Sequence, residues 1–352
     1  MARGPQSLVF RVDAGAQVGL GHAMRCLALA QAWQDGGGAP LFVINPGIPD
    51  LEGRLKAESV EVVHQSGQVV DLEDAENTVY HARLAGASWV VVDGYSFNAE
   101  YQKHVKDAGL HVLFIDDYGH AGVYYADVVL NQNIYAQEQF YTRRAPHTHL
   151  LLGSRYTLLR REFWRWQRWQ RVVSKRARKI LVSLGGGDCS GGTLKVARAL
   201  HEVGAAHDLE VLILIGAANP HYESLRHATE DSCFPLRIER WVSDMPALLE
   251  WADVAISAGG TTCWELAFMG LPALTIIMAD NQLLVANALA EANVVRNLGR
   301  HETLERDDLV SALLSLLSDF PLRAEMSQRG RTLVDGKGAE RVLSCLQAKT
   351  LN

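Results

Sequence analysis

The sequence predicts an α/β protein made of two doubly wound, Rossmann-like domains that face a cleft. Short apolar runs rich in β-branched residues alternate with amphipathic segments along most of the chain, which is the pattern of βαβ units with parallel strands. A glycine-bearing loop between a strand and a helix occurs near each domain start, at residues 8–22 and 179–193. The length of 352 residues is sufficient for two hydrophobic cores of ordinary domain size.

The alternation of patterns predicts the elements in order. We expect strands at Ser7–Asp13, Pro40–Asn45, Trp89–Asp93, Val112–Asp116, Val128–Asn131, Ile180–Leu184, Val211–Gly216, Val254–Ser257 and Pro272–Ile277. The spacing of apolar residues predicts helices at 22–34, 98–108, 193–204, 244–251, 262–269 and 282–292, and helical structure after residue 300. Right-handed crossovers place helices on both faces of each sheet. Two such domains create a cleft at the carboxyl ends of their strands.

A basic, tryptophan-rich segment marks the expected domain boundary. We expect a first domain at 1–158, a linker helix at 159–178 and a second domain at 179–352. The favoured interpretation is a linker whose aromatic face packs on the protein, and the alternative is a membrane-surface patch, because basic amphipathic helices bind membranes. The residues that can share one helix face are Phe163, Trp166, Trp169 and Val173.

Composition excludes several classes of protein. The net charge of −6 argues against a nucleic-acid-binding protein, which normally carries a basic excess. The five cysteines are scattered without a Cys-x-x-Cys pair, so we expect neither a disulfide framework nor a zinc knuckle, and a reduced cytoplasm fits. We expect no secretory leader and no membrane insertion, because no apolar run approaches the roughly 20 residues that span a bilayer. A monomer is compatible with the sequence.

The first glycine loop carries a histidine at the start of a helix. Gly19 and Gly21 precede His22, and such a turn presents backbone N–H groups and the positive helix end to an anion. A histidine there stays neutral more readily, which makes it a candidate general base beside a phosphorylated ligand. The alternative is that His22 only caps and packs. NAD is not expected, because Met24 replaces the third small residue of the dinucleotide fingerprint.

The second glycine loop resembles a P-loop without its lysine. In the stretch 183–193, Gly192 stands where the phosphate-binding lysine would be. ATP hydrolysis is therefore not expected, while an anion cradle formed by Gly186, Gly187 and Asp188 remains possible on the residues alone. The alternative is a tight turn that needs a positive φ.

The third loop is the most specific of the three. Gly259-Gly260-Thr261-Thr262 follows an apolar strand, and Glu265 lies one helical turn further on. The turn exposes N–H groups that can hold a diphosphate, and Glu265 could accept ribose hydroxyls. The alternative is a capping box, Thr262-x-x-Glu265, in which the glutamate serves only the helix. The polar pair Asn281-Gln282 at another strand end favours a nucleotide-sugar site.

Several motifs together resemble a known enzyme family. Besides the three loops, they are Asp93-Gly-Tyr95, Ile115-Asp-Asp117, Leu130-Asn-Gln-Asn133 and Leu152-Gly-x-x-Tyr156-x-Leu-Leu-Arg160-x-Glu162-Phe, in order between about residues 8 and 290. They resemble the UDP-sugar hydrolases of pseudaminic acid biosynthesis, which act on UDP-2,4-diacetamido-2,4,6-trideoxy-β-L-altropyranose. The resemblance implies the glycosyltransferase-B architecture and metal-independent, cofactor-free hydrolysis that releases UDP in the cytoplasm.

The resemblance also implies roles for individual residues. His22 matches the catalytic histidine, Tyr95 a tyrosine of the sugar pocket, Glu265 the glutamate near the UDP ribose and Asn281 an active-site asparagine. We take His22, Tyr95 and Asn281 as the catalytic set. Gly187 and Gly191-Gly192 depart from commoner variants of the family, so contacts there would be made by the backbone. The expected substrate-binding residues are Asp13, Gly19, Gly21, Arg25, Gly186, Gly187, Asp188, Gly259, Gly260, Thr261, Thr262, Glu265 and Gln282.

One base suffices for the expected chemistry, because UDP leaves readily without a second carboxylate acid. We hypothesise that neutral His22 deprotonates a water that attacks the anomeric carbon with inversion. Asp13 could orient the imidazole, bind the sugar, or only close a turn. Asp117 and Asn131 also lie at strand ends, and we do not expect them to contact the substrate. The alternatives are a glycosyltransferase with a UDP-sugar donor, a UDP-sugar 2-epimerase, and a non-enzymatic nucleotide-sugar binding module.

Overall fold

The chain folds into two compact units in the computed structural model. The structure describes residues 6–15, 19–65, 70–185, 188, 190–216, 219–230, 232–240, 242 and 244–350. One unit comprises Met1–Arg161 together with Gly336–Asn352, and the other comprises Glu162–Asp335. These bounds differ from the expected ones, because the end of the chain belongs to the first unit.

The first unit is a parallel seven-stranded sheet with helices on both faces. The strand order is β3-β2-β1-β4-β5-β6-β7, so the direction of winding reverses between β1 and β4. Ligands of doubly wound sheets bind outside the carboxyl ends of the strands at such a point. The elements are β1 (Ser7–Val12), α1 (Gly21–Asp35), β2 (Ala39–Ile44), α2 (Pro49–Ala57), β3 (Glu61–His64), α3 (Leu72–Leu84), β4 (Trp89–Asp93), α4 (Ala99–Asp107), β5 (His111–Ile115), β6 (Val128–Asn131) and β7 (His149–Leu152).

The second unit repeats this topology with six parallel strands in the order β10-β9-β8-β11-β12-β13. Its winding reverses between β8 and β11. The elements from the unit border onward are α5 (Arg161–Trp164), β8 (Lys179–Ser183), α6 (Gly192–His207), β9 (Glu210–Leu214), α7 (Tyr222–Glu230), β10 (Leu236–Glu239), α8 (Met245–Trp251), β11 (Val254–Ala258), α9 (Thr262–Met269), β12 (Ala273–Ile277), α10 (Leu283–Glu291), β13 (Val295–Arg300), α11 (Arg306–Ser318) and α12 (Phe320–Leu333).

Both faces of the first sheet are buried, which explains why its inner strands are continuous apolar runs. Phe10 of β1 points to one face, where its ring stacks on that of Phe42 at 4.7 Å between centroids. Val9, the preceding residue, belongs to the cluster on the other face. The alternation follows from the period of two along a strand. The expected parallel α/β class is confirmed.

The C-terminal helix α13 (Gly338–Thr350) completes the first unit. Val342 and Leu346 are buried in the same cluster as residues of α1. A Cβ atom on Gly338 would lie 2.1 Å from the carbonyl oxygen of Thr157, so the close approach of this helix requires glycine. The prediction of helices after residue 300 is confirmed, but the expected placement of the whole tail in the second domain is wrong.

The tryptophan-rich segment packs on the second unit, but it is not the expected helix. Helix α5 has only four residues, and the aromatic face expected from Phe163 to Val173 does not form as a helical stripe. Arg171 donates hydrogen bonds to the carbonyl oxygens of Leu249, Ala252 and Met269. These carbonyls lie at the ends of α8 and α9, where a helix leaves acceptors unpaired. The packing favours the linker interpretation over a membrane patch.

Candidate functional site

The loop after β1 brings His22 to the first turn of α1. Gly19 adopts a φ of +79°, a conformation that glycine reaches without strain, and its N–H donates to the carbonyl oxygen of Gly15 at 2.7 Å. Gly21 is the first residue of α1. Gly15 and Gly19 therefore form the ends of the turn. Residues 16–18, between those two glycines, lie outside the described part of the chain.

His22 forms a dyad with Asp93, the last residue of β4. Val12 and Asp93 are paired across the β1–β4 ladder, so the topology places the carboxylate beside the loop that carries His22. The distance from His22 Nδ1 to Asp93 Oδ1 is 2.7 Å, and both side chains are buried. An ionised carboxylate only accepts hydrogen bonds, so this contact is a hydrogen bond when Nδ1 carries the proton; a terminal nitrogen of Arg25 also lies 3.0 Å from Nδ1. The neutral ring then has its lone pair on Nε2, and no hydrogen bond among the described residues uses that atom.

Arg25 holds two carboxylates at once. Its Nε and one terminal nitrogen each lie 2.7 Å from an oxygen of Asp93, and its terminal nitrogens lie 2.8 and 3.2 Å from the oxygens of Asp117. Arg25 is 5% exposed. The guanidinium therefore bridges these two carboxylates, and it also lies 3.0 Å from His22 Nδ1.

Arg25 decides the ionisation of both carboxylates. Burial would raise the pKa of Asp93, but the charge of Arg25 outweighs it and holds that pKa well below its usual range. The same balance of burial against Arg25 lowers the pKa of Asp117. The cluster thus contains two negative charges and one positive charge while His22 is neutral. A proton on His22 would bring the sum of these charges to zero.

Tyr95 lies against the histidine. Its ring meets that of His22 edge to face with centroids 4.7 Å apart, and its hydroxyl donates to Asp117 Oδ2 at 3.0 Å. The neighbouring Gly94 has a φ of +155°, and a Cβ there would lie 2.4 Å from that of Asp13. Only glycine permits this approach, which brings the Tyr95 loop against the end of β1.

The side chain of Asp13 bonds to the loop after β4 rather than to the imidazole. Its Oδ2 accepts a hydrogen bond from Ser96 Oγ at 3.2 Å, and the orientation of the imidazole is supplied by Asp93. The sequence motif contained Asp93, but the motif alone gave it no role. The signal that could have found it is topological, because a carboxylate that ends the strand beside β1 must lie near the loop after β1.

Asp117 extends the site into a buried polar network, which sequence reasoning missed. Asn133 Nδ2 donates to Asp117 Oδ1 at 2.8 Å. Asn131 Nδ2 donates to the Asp117 backbone oxygen at 2.9 Å and to the Tyr141 hydroxyl at 2.8 Å. Each polar atom in such a network must find a partner when water is excluded. The motifs Ile115-Asp-Asp117 and Leu130-Asn-Gln-Asn133 therefore contribute to the same hydrogen-bond network.

In the second unit, Asp188 caps a helix. Its carboxylate oxygens accept from the backbone N–H groups of Gly192 at 3.1 Å and Thr193 at 2.6 Å. Burial opposes ionisation, but these N–H donors lower the pKa of Asp188. The carboxylate therefore accepts from two backbone donors at the start of α6. Gly186 and Gly187 lie outside the described residues.

The third loop and the Asn281-Gln282 pair adjoin each other. A Cβ on Gly259 would lie 3.2 Å from the Gln282 carbonyl oxygen, and Gln282 Oε1 accepts from the backbone N–H of Met278 at 2.9 Å. The carboxyl ends of β11 and β12 therefore bring both motifs to one edge of the sheet.

Glu265 lies in a helix that begins one residue earlier than a capping box at Thr262 would require. The helix begins at Thr262, and Thr261 is the N-cap residue. In the expected box Thr262 would have to be the N-cap. Glu265 lies in the first turn of α9, next to the loop formed by Gly259 and Gly260.

Within the described ranges, no group of three or more His, Cys, Asp or Glu side chains is arranged to hold a metal ion. No helix there is long and apolar enough to cross a membrane.

Known proteins resemble the chain in sequence and in fold. Residues 188–341 match the glycosyltransferase family 28 C-terminal domain. The crystal structure of Acinetobacter baumannii MurG superimposes with a TM-score of 0.68 at 17% identity, covering 98% of this chain and 100% of that one. The chain has the glycosyltransferase-B fold. The architecture expected from the sequence is therefore confirmed.

Two curated relatives align over large parts of the chain. The Bacillus subtilis spore coat polysaccharide biosynthesis protein SpsG is 28% identical over 95% of this chain and 96% of its own length. The Campylobacter jejuni UDP-2,4-diacetamido-2,4,6-trideoxy-β-L-altropyranose hydrolase is 24% identical over 62% of this chain and 73% of its own.

Proposed function

We propose that the protein is a UDP-sugar hydrolase in which His22 is the general base. The observation that carries this proposal is the 2.7 Å contact between His22 Nδ1 and Asp93. It supports the tautomer with a lone pair on Nε2, the one used by enzymes whose histidine base is oriented by a carboxylate.

In the proposed step, water attacks the anomeric carbon of the sugar. The bond from water oxygen to C1 forms while the bond from C1 to the diphosphate oxygen breaks, and its electron pair leaves with UDP. His22 Nε2 takes the proton from the water. Asp93 stabilises the imidazolium through the hydrogen bond at Nδ1. The attack from the face opposite UDP inverts the anomeric centre, and Tyr95 is proposed to hold the sugar or the water.

The second unit is proposed to bind UDP. The backbone N–H groups of Gly260, Thr261 and Thr262, which follow β11, are suited to the diphosphate because N–H groups at a helix start attract anions, while the Gly259 N–H donates to the carbonyl oxygen of Ile276. Glu265 is proposed to accept the ribose hydroxyls, and Asn281 and Gln282 to contact the substrate. Support comes from their clustering at the ends of β11 and β12 and from the match to a glycosyltransferase C-terminal domain.

The proposed substrate is UDP-2,4-diacetamido-2,4,6-trideoxy-β-L-altropyranose. It is supported by the activity for which the C. jejuni relative is named and by the motifs that resemble the same family. A glycosyltransferase is the second candidate, because the family matched by residues 188–341 is named for transferases. A 2-epimerase would leave the sugar attached to UDP.

One time course tests these candidates against each other. The purified protein is incubated with the UDP-diacetamido sugar without an acceptor, and the reaction is followed by NMR. Hydrolysis predicts one UDP and one free sugar per substrate, with the new anomer inverted. An intact UDP-sugar of changed configuration would identify an epimerase. Absence of UDP release without an acceptor, and its appearance with one, would identify a transferase.

The variant His22→Asn tests the base directly. We expect turnover to fall by roughly 10³-fold or more, the size of effect that loss of a general base produces, while UDP binding by calorimetry stays near that of the parent. Turnover close to the parent rate would remove His22 from the mechanism. Combined loss of turnover and UDP binding would contradict the separate roles proposed for the two units.

A further inference from the structure

The buried carboxylate of Asp117 has no task in the proposed reaction, yet it contacts three residues of the site. It accepts from Arg25 at 2.8 Å, from the Tyr95 hydroxyl at 3.0 Å and from Asn133 at 2.8 Å. Asp117 follows β5, the strand beside β4, so two adjacent strand ends each supply a carboxylate to the same guanidinium. One carboxylate would be enough to form an ion pair with Arg25, so the presence of a second one calls for an explanation.

Because Arg25 is shared between Asp93 and Asp117, the net charge beside His22 differs from that of a simple Asp93–Arg25 pair. A lone Asp93–Arg25 pair would be neutral, and a proton on His22 would then make the cluster positive. With Asp117 present, the cluster carries one net negative charge until His22 takes a proton. In a buried site such a charge is weakly screened, so its influence on the imidazole is large.

We infer that Asp117 is a positioning residue that offsets the charge of Arg25, so that Asp93 can stabilise protonated His22, and that it aligns Tyr95 through its hydroxyl. Arg25, which the sequence suggested as a substrate ligand, belongs to the same cluster of charged side chains. The kinetic part of this inference rests on the proposed function, whereas the electrostatic part can be measured on the protein alone.

The charged and titratable groups around His22 include Cys26 of α1, whose Sγ donates to Asp93 Oδ2 at 3.4 Å. Asp93 on β4 and Arg25 on α1 contact the ring directly, and Tyr95 from the loop after β4 lies against its edge. Asp117 acts on it through space. Beyond Tyr95, the buried pair of Asp116 and His120, 2.9 Å apart, adds no net charge when both members are ionised.

The test follows the pH titration of the His22 ring by NMR in the full-length protein. Its signal is assigned by comparison with His22→Asn. In Asp117→Asn the cluster loses a negative charge, so we expect the titration midpoint to move to lower pH by on the order of one unit. In Arg25→Gln it loses a positive charge, and the midpoint should move to higher pH. Because the two variants are expected to shift the midpoint in opposite directions, the result separates an effect of charge from a general disturbance of the structure.

A matched control comes from elsewhere in the same unit. Asp127→Asn removes a mostly buried carboxylate that pairs with Lys106 and contacts none of the site residues named above. We expect this variant to lose stability without moving the His22 midpoint. Circular dichroism establishes which variants remain folded, and a folded Arg25→Gln protein decides the question if Asp117→Asn does not fold.

Unchanged midpoints in both site variants, or shifts in one common direction, would overturn the inference. UDP release from the UDP-diacetamido sugar provides the second readout. In Asp117→Asn the acid limb of the kcat/KM profile should follow the NMR midpoint. Tyr95→Phe, which removes only the hydroxyl, should raise KM and leave the midpoint in place. If the parent protein released no UDP, the proposed function would fail, while the NMR result would still decide the role of Asp117.

Discussion

The carboxylate of Asp93 receives hydrogen bonds from His22 on one side and from Arg25 on the other. At the scale of single residues, this geometry separates two aspartates that look alike in the sequence. Asp13 follows β1 and Asp93 ends β4 at the same sheet edge, but only Asp93 contacts the imidazole. The choice between them depends on the side-chain directions at adjacent strand ends.

Asp93→Asn should lower kcat by roughly 10³- to 10⁴-fold, because an amide can donate to Nδ1 and so stabilise the wrong tautomer of His22. The measurement is UDP release from the UDP-diacetamido sugar at saturating substrate. Asp13→Asn is the matched control, and we expect its kcat to stay within about tenfold of the parent. A larger loss in Asp13→Asn than in Asp93→Asn would reverse the assignment of the orienting carboxylate.

The pair of His120 and Asp116 makes stability depend on pH. Burial alone would lower the pKa of His120, but Asp116 outweighs burial and raises it. A raised pKa means that the folded state holds the proton more tightly than the unfolded chain. The stabilisation is therefore complete below the unfolded value of about 6.5 and is lost as the pH rises through the folded value.

His120→Gln should accordingly destabilise the protein more at pH 5.5 than at pH 8.5. Urea denaturation of the parent and the variant at both pH values measures the difference in the free energy of unfolding. The exposed His147→Gln in the same unit serves as the control and should show no such pH dependence. An equal cost at both pH values would mean that the ion pair contributes nothing to stability.

At the scale of elements, the strands that the sequence predicted are the interior strands of the two sheets. The four that it missed are the edges, namely β3, β7, β10 and β13. The physical reason is burial: β3 is exposed or half-buried throughout, whereas β4 is buried throughout. An interior parallel strand must be apolar on both faces, so its pattern is strong, while an edge strand can be short and polar.

Helix α13 shows how one element joins distant parts of the chain. Leu346 is 1% exposed in the core beneath α1. Leu346→Ala should cost roughly 2–5 kcal/mol in the free energy of unfolding, because it removes buried methyl groups and leaves a cavity. Chemical denaturation of the full-length protein is the measurement. Gln347→Ala, an exposed neighbour, should stay within about 0.5 kcal/mol of the parent, and equal effects of the two would contradict the packing.

For the whole molecule, the division into units predicts which fragments fold. Residues 162–335 form one continuous compact unit, whereas residues 1–161 need residues 336–352 to complete theirs. We expect fragment 162–335 to unfold cooperatively on heating. Fragment 1–161 should lack a cooperative transition and bind an apolar dye, because the surface that α13 covers is exposed.

Fusing residues 336–352 to fragment 1–161 through a flexible linker should restore the transition. Circular dichroism on heating measures it, and a scrambled 336–352 segment on the same linker is the control. A cooperative transition in fragment 1–161 alone, at the same temperature as in the fusion, would show that α13 is not part of that unit's core.

The sequence by itself determined the α/β class, the positions of the interior strands and the place of His22 at the start of a helix. Each of these depends on local spacing and on burial within one element. Tertiary structure alone decided the partner of His22, the commitment of Arg25 to two carboxylates, the capping role of Asp188 and the return of α13 to the first unit. Each of these depends on which strand ends or helices become neighbours across many residues. That adjacency follows from sheet order, which a linear pattern does not contain.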